Sequence, residues 1–330
     1  MRAVVVESFG GPEVLVVRDL PPPVPDAGEV VVDVHAAGVN FPDLLVVGGT
    51  YQILPPLPFS PGKEVAGIVR ELGAGVTGLH PGQRVVAQLE HGGYRECVAV
   101  PAAQVVPVPD GVDLVEAAAS GLVELTAHFA LVRRAGLRPG ETVLVTGAGG
   151  GVGRAAVQIA KALGARVLAA VRPGARAVDD PADDPADHPG ADHVLAVEPA
   201  QLRDRVRDLT GGRGADVVLE SVGGDVFRAA LRATAWEGRV VVIGFASGAI
   251  PEVKAGHLLV KNVSVLGLQV SDYRDREPAA VREVLEQLLR WHADGTLRTR
   301  VAGTHRFEDA ARALDAVRVG GTGGRIVLTP

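Results

Sequence analysis

The stretch TGAGGGVGR, residues 146–154, crowds five glycines between two apolar runs. Glycine permits a tight turn and lets backbone amides come close to a phosphate, which the N-terminus of a following helix favours electrostatically. The strand pattern TVLVTGA precedes the turn. GVGRAAVQIAKALGA follows with helical spacing ended by Gly164, and RVLAAV reads as a second strand. Strand, glycine turn, helix and strand together form the unit that binds the pyrophosphate of a dinucleotide. Counted from Gly147, a strict GxGxxG fails at Val152; the register that fits is Ala148, Gly151, Gly153. No Gly-Lys-Ser/Thr follows, which excludes a P-loop.

The end of the second strand decides between the two nicotinamide dinucleotides. A carboxylate there binds the ribose 2′-hydroxyl of NAD. Here the strand ends LAAVRPGAR, with Arg172 and Arg176 and no acid. Guanidinium groups suit a 2′-phosphate, so the pattern predicts NADPH, although arginine is common along this chain.

These residues need a scaffold. Residues 1 to about 120 carry short β-type runs such as EVVVDVHAAGV, EVAGIVREL and QRVVAQL, split by turn signals, which predicts an irregular β domain. DLVEAAASGLVELTAHFALVRRAGL then has helical spacing, with Leu114 or Val115, Ala118, Leu122, Leu125 and Phe129 on one side. From residue 142 buried strands alternate with helices: ADHVLAV, ADVVLESV, RVVVIGF and VSVLGLQV continue the strands. That alternation predicts a doubly wound parallel sheet with helices on both faces. EPAAVREVLEQLLRWHADG and RFEDAARALDAVRVGG read as amphipathic helices and GRIVLTP as a closing strand. In RPGARAVDDPADDPADHPGADHV, Pro181, Pro185 and Pro189 recur every four residues amid aspartates. Interior prolines are incompatible with a helix, so the segment reads as an exposed loop.

Composition excludes several classes. With 330 residues, 47% of them hydrophobic, the chain can bury a sizeable core in about two domains. The net charge of −6 gives no general attraction to nucleic acid. One cysteine, Cys97, excludes a disulfide framework and suits a reducing, cytoplasmic setting. The N-terminal MRAVVVESFG is too short an apolar run for a signal peptide, and no apolar stretch is expected to approach a membrane helix.

The whole chain resembles the zinc-independent NADPH:quinone oxidoreductases, the zeta-crystallin-like branch of the medium-chain dehydrogenase/reductases. The resemblance is carried by GGPEVL (10–15), AAGVNFPDLLVVGGTY (36–51), PGKEVAGIV (61–69), VTGAGGGVGRAAVQIAKALGA (145–165), GADHV (190–194), SVGGDVF (221–227), GRVVVIGFASG (238–248) and the ending GTGGRIVLTP. It implies a GroES-like β domain over 1–124, completed by 266–330, and a Rossmann domain over 125–265. Where zinc-dependent relatives carry a catalytic cysteine and histidine, this chain has Asn40 and Lys63, and one cysteine cannot build their four-cysteine structural site. Metal ligands are therefore not expected.

By the same resemblance, Asn40, Tyr51 and Thr126 border the nicotinamide and substrate, and the Tyr51 phenol could give up a proton. The cofactor is expected at Gly149, Gly150, Gly151 and Val152, with Arg172 and Arg176 at the adenosine end. It is further expected at Ile243, Gly244, Phe245 and Ala246, at Leu268, Gln269 and Val270, and at Arg325. Lys63 departs from the family's apolar or aromatic residue: it could reach solvent or favour an anionic substrate. Val197 stands where some members place a tyrosine, and the glycines of VGGTGGR replace an arginine, for which Arg318 or Arg325 could compensate. A homodimer is expected, with VSVLGLQV near the edge of the Rossmann sheet. The reaction implied is NADPH-dependent quinone reduction by hydride transfer. Its alternative is enoyl reduction of an α,β-unsaturated ketone or thioester, and a third reading is a nucleotide-binding protein without turnover.

Overall fold

A computed structural model of the chain describes residues 1–173 and 190–330. Its elements, in chain order, begin with β1 (Arg2–Val6), β2 (Leu15–Asp19), β3 (Glu29–Val39), α1 (Phe41–Val47), β4 (Glu64–Leu72) and β5 (Arg84–Gln88). Next come β6 (Cys97–Pro101), β7 (Val105–Pro107) and α2 (Leu114–His128), which runs on as a π-helical turn over Phe129–Arg134. Then follow β8 (Thr142–Thr146), α3 (Gly151–Ala162), β9 (Arg166–Ala170), β10 (His193–Leu195), α4 (Pro199–Leu209), β11 (Ala215–Glu220), α5 (Gly224–Ala233), β12 (Thr234–Val242), α6 (Ala255–Lys261) and β13 (Ser264–Gly267). The chain closes with α7 (Val270–Arg276), α8 (Pro278–Ala293), β14 (Val301–Arg306), α9 (Ala310–Val319) and β15 (Arg325–Thr329).

These elements make two compact units, Met1–Leu122 with Ser271–Pro330, and Val123–Val270. The first is built on a seven-stranded sheet in the order β14-β15-β3-β4-β5-β7, with β6 also pairing β3. β3 is its organising strand. Its EVVVDVHAAGV run is buried along most of its length because β4, β6 and β15 all pair with it. The valine-rich β core is completed by Phe307, Ala313 and Leu314 from the C-terminal segment. The sequence reading had missed β14, whose side chains alternate between half-buried and exposed without a dense apolar run.

The second unit is the doubly wound sheet, in the order β10-β9-β8-β11-β12-β13, with all five pairings parallel. The centres of β8 (Val143, Leu144, Val145) and β11 (Val217, Val218, Leu219) are apolar and fully buried because both of their faces are covered. The chain winds outward from β8 to β10, returns, and winds the other way from β11 to β13. Its topological switch point therefore lies between β8 and β11. Two details differ from the sequence reading. β12 begins at Thr234, well before its apolar run, and Glu237 takes a left-handed conformation within it (φ 56°). The strand read as VSVLGLQV is only Ser264–Gly267 before α7 begins at Val270.

The expectation that no apolar stretch nears membrane-helix length is corrected. Leu114–Arg134 forms 21 helical residues with a mean hydropathy of 1.3 over its most apolar window. That window is 72% buried inside the protein, as a core helix is. The Asp/Pro-rich segment read as a loop, and Arg176 within it, lie outside the described residues.

Candidate active site

The glycine turn is built as its spacing requires. Gly147 leaves β8 with φ 62°, a left-handed conformation that side chains rarely adopt, and a Cβ there would stand 2.7 Å from Ser221 Oγ. Gly150 N–H donates to Gly147 O at 2.9 Å, closing the turn, and Ala148 N–H ties it to Ala170 O of β9 at 3.0 Å. A Cβ on Gly153 would lie 2.2 Å from Gly147 O, so only glycine lets α3 approach so closely. Gly150 is the N-cap of the 12-residue α3 and no side chain caps it. The first N–H groups of α3 cannot bond within the helix and are directed outward, where an anion is favoured.

Gly149, Gly150, Gly151 and Val152 thus lie just beyond the carboxyl end of β8. The other expected cofactor contacts in this unit follow the same rule. Exposed Arg172 comes just after β9, Ile243, Gly244, Phe245 and Ala246 after β12, and Leu268, Gln269 and Val270 after β13. Because the sheet is parallel, they share one edge of it, which is where ligands bind in open α/β sheets.

A buried carboxylate under that edge was not foreseen. Glu220, the last residue of β11, has no exposed surface. Its Oε1 accepts from Val222 N–H at 2.9 Å, Gly223 N–H at 3.0 Å and the Thr146 hydroxyl at 3.2 Å. Burial pushes this carboxyl above its ordinary range, and the three donors oppose that. Ser221 completes the link by donating from Oγ to Thr146 O at 3.1 Å. Glu220 therefore clamps the turn after β11 to the end of β8, at the switch point. The visible signal was a glutamate directly ending an apolar strand, before SVGG.

In the first unit the structure places Asn40 deep inside, 2% exposed. Asn40 is the N-cap of α1, in a capping box with Asp43, whose Oδ2 accepts the Asn40 backbone N–H at 2.9 Å. Both ends of its amide are taken. Nδ2 donates to Glu64 Oε1 at 2.9 Å, and Oδ1 accepts from Arg325 Nη2 at 2.7 Å. Arg325 also reaches Glu64 Oε1 at 3.1 Å and donates from Nε to Ala119 O at 2.7 Å. Leu122 N–H closes the network on Glu64 Oε2 at 2.6 Å. Burial pushes the Glu64 carboxyl up, while Arg325, Asn40 and the Leu122 amide hold it down. Asp43 is likewise pushed up by burial, although Tyr94 donates to it at 2.8 Å and Asn40 N–H also supports its charge.

Lys63 contradicts the expectation of a solvent-reaching chain, being only 2% exposed. Its ammonium donates to Glu90 Oε1 at 2.5 Å and to Glu90 O at 3.1 Å. The other Glu90 oxygen faces Arg274 Nη1 at 3.0 Å, as an ion pair without hydrogen-bond alignment, and Arg274 is paired in turn with Asp275 at 2.8 Å. The ammonium is thus enclosed within the protein rather than presented to solvent. The Tyr51 ring lies over the same ammonium, 4.5 Å from Lys63 Nζ to the ring centroid. The structure thus joins Tyr51 to Lys63 and Asn40 to Arg325. Thr126, half-buried on α2, belongs to the second unit.

Known proteins share the two domains of this chain. The alcohol dehydrogenase GroES-like domain matches residues 26–110, and the zinc-binding dehydrogenase domain matches residues 151–289. Rat quinone oxidoreductase-like protein 2 is 35% identical over 99% of this chain and 92% of its own length. Human quinone oxidoreductase is 32% identical over 99% and 97%. The chain belongs to the quinone oxidoreductase family of the medium-chain dehydrogenase/reductases. Its members are oxidoreductase enzymes with a GroES-like domain and a Rossmann domain, as the sequence resemblance implied. Among solved structures of the family, Escherichia coli quinone oxidoreductase complexed with NADPH superposes with a TM-score of 0.89 at 31% identity, both chains being covered in full. A mycobacterial protein complexed with NADPH gives 0.88 at 34%, again with full coverage of both.

Proposed function

We propose that this protein reduces quinones with NADPH by hydride transfer, without zinc, and works as a homodimer in the cytoplasm. The observation that carries the cofactor part is the uncapped glycine turn and helix start beside the switch point of a parallel sheet. The amides of Gly149 to Val152 would hold the pyrophosphate. Arg172, followed by no acid at the strand end, would hold the 2′-phosphate, together with Arg176. The residues after β12 and β13 would line the rest of the dinucleotide. Bound NADPH supplies the hydride. Thr126 would border the nicotinamide, and Tyr51 would hydrogen-bond the substrate oxygen and give it a proton.

The donor set supports a zinc-free reaction. Lys63 is a cation paired with Glu90 and has no lone pair for a metal, and the Asn40 amide oxygen is already engaged by the Arg325 guanidinium, a poor neighbour for a metal cation. Asn40 and Arg325 are spent on one another and on Glu64. They would act by fixing α1 and the start of β15 rather than by touching reactants. The dimer reading rests on the edge of β13, which among the described residues pairs with β12 alone, and on strongly exposed Leu259 and Val260 on neighbouring α6. A dimeric mass by light scattering at micromolar concentration supports it, and a monomeric mass refutes it.

The test is NADPH absorbance decay against a panel of quinones and enones, with chelator present. Quinone turnover that survives the chelator is expected. Turnover of enones alone would move the reading to enoyl reduction. No turnover of either, with NADPH bound, would leave a nucleotide-binding protein without catalysis.

A further inference from the structure

A lysine buried to 2% exposure has to repay the loss of its hydration. Lys63 does so through Glu90, which it contacts twice, and through the face of the Tyr51 ring. A cation against an aromatic face is most effective when desolvated, as here. The Tyr51 backbone is tied as well, its N–H donating to Leu45 O of α1 at 3.2 Å. The Lys63 ammonium thus holds the face of the Tyr51 ring, while α1 holds its backbone.

We propose that Lys63 is a positioning residue for Tyr51: its ammonium fixes the ring and offsets the negative charge left on the phenol oxygen once its proton has gone to the substrate. This inference rests on Tyr51 being the proton donor proposed above. In that step the substrate has received a hydride and its oxygen is negative. The Tyr51 O–H bond breaks and a substrate O–H bond forms. The electron pair of the broken bond stays on Tyr51 as phenolate, and solvent later returns a proton.

The surrounding charges leave this role to Lys63. Glu90, from the loop after β5, is shared between Lys63 and Arg274 of α7, and Asp275 balances Arg274. His91 is held towards its neutral form, first by burial and then by Arg95. Asp43 of α1 feels the Lys63 charge but is buried with its own donors, Tyr94 and the Asn40 amide. The Lys63 ammonium faces the Tyr51 ring, 4.5 Å from its centroid.

A double-mutant cycle separates this role from plain packing. Lys63→Met keeps the chain length and removes the charge; Tyr51→Phe keeps the ring and removes the proton. With NADPH and a quinone, Tyr51→Phe is expected to lower kcat about 10²-fold. Lys63→Met should lower kcat about 10-fold, with the KM for NADPH unchanged. In the Tyr51→Phe background the same Lys63→Met change should cost less than about 2-fold, because the charge it would offset no longer forms. Lys63→Arg, which keeps the cation, should recover most of the activity. Lys63→Gln, which can still donate to Glu90, provides a second uncharged variant should Lys63→Met fail to fold. Equal losses in both backgrounds, or full activity of the uncharged variants, would overturn the proposal. If Tyr51→Phe lowers kcat and the Lys63 variants do not, only this inference fails. If Tyr51→Phe is itself silent, the proton-donor reading fails with it.

Discussion

The glycine turn of the second unit and the Asn40–Glu64–Arg325 cluster of the first are both functional candidates, yet they are made of different material. The turn works through backbone. Its amides, its left-handed Gly147 and its close approach at Gly153 follow from residue types a few positions apart. The cluster works through side chains separated by up to 285 positions in sequence, each occupied by the others. A polar residue at a family's active-site position can thus be a reactant contact or a buried strut. Only its partners distinguish the two.

The contrast is broken if the cluster proves dispensable to folding. Glu64→Ala leaves Arg325 and Asn40 without their shared acceptor, and losing one partner of a buried ion pair typically costs about 3–5 kcal/mol. Urea denaturation at pH 7 should show that loss; a change within about 0.5 kcal/mol would return the cluster to the surface-like class.

The turn should respond in the opposite way, in binding. Gly153→Ala forces a Cβ against Gly147 O, and strain of about 1–3 kcal/mol would weaken NADPH binding about 5- to 150-fold. Gly149→Ala meets no atom within 4 Å and should leave the melting temperature unchanged. Fluorescence titration with NADPH checks the first, calorimetry the second. Equal affinity in Gly153→Ala would show that the turn does not carry the cofactor.

Arg172→Ala sharpens the comparison further, because it is a side-chain effect in the backbone-built site. Losing one charge-assisted hydrogen bond should reduce the NADPH-over-NADH preference in kcat/KM by about 10-fold. A preference untouched by this change would place recognition of the 2′-phosphate elsewhere.

The smallest expected effect is one of pH. Burial raises the Asp43 carboxyl above its ordinary value of 3.8, so the folded state keeps that proton longer than the unfolded one. This contribution to stability is full below 3.8 and is lost as pH rises through the folded value. Asp43→Asn lacks it. The variant should therefore gain stability relative to wild type as pH rises above 3.8, by about 1.4 kcal/mol per unit of elevation. A difference that is flat above that pH in urea titrations would show that Asp43 titrates normally.

Much of the fold was legible. The second unit's parallel strands, the helix after the glycine turn and its end at Gly164 all follow from apolar runs and glycine punctuation. What was hidden had weak local signals. β14 alternates without a dense apolar core, and the real extent of β12 depends on a left-handed Glu237 that no spacing rule anticipates. In the candidate site, Gly149 to Val152 were readable as a phosphate-binding turn. Glu220 was not, because its importance lies in Thr146, 74 positions away, and in the glycine turn it clamps.

Lys63 shows where the boundary falls. By itself the sequence determined that the chain has a lysine where zinc-dependent relatives have a ligand, a glycine turn suited to a dinucleotide, and arginines rather than an acid after the second strand. These are matters of residue type and short spacing, which local geometry converts directly into chemistry. Only the tertiary structure decided that Lys63 is buried rather than solvent-reaching, that Glu90 pairs with it, and that Tyr51 covers it. A charged side chain takes its solvation and its partners from residues distant in sequence, and its chemistry depends on both.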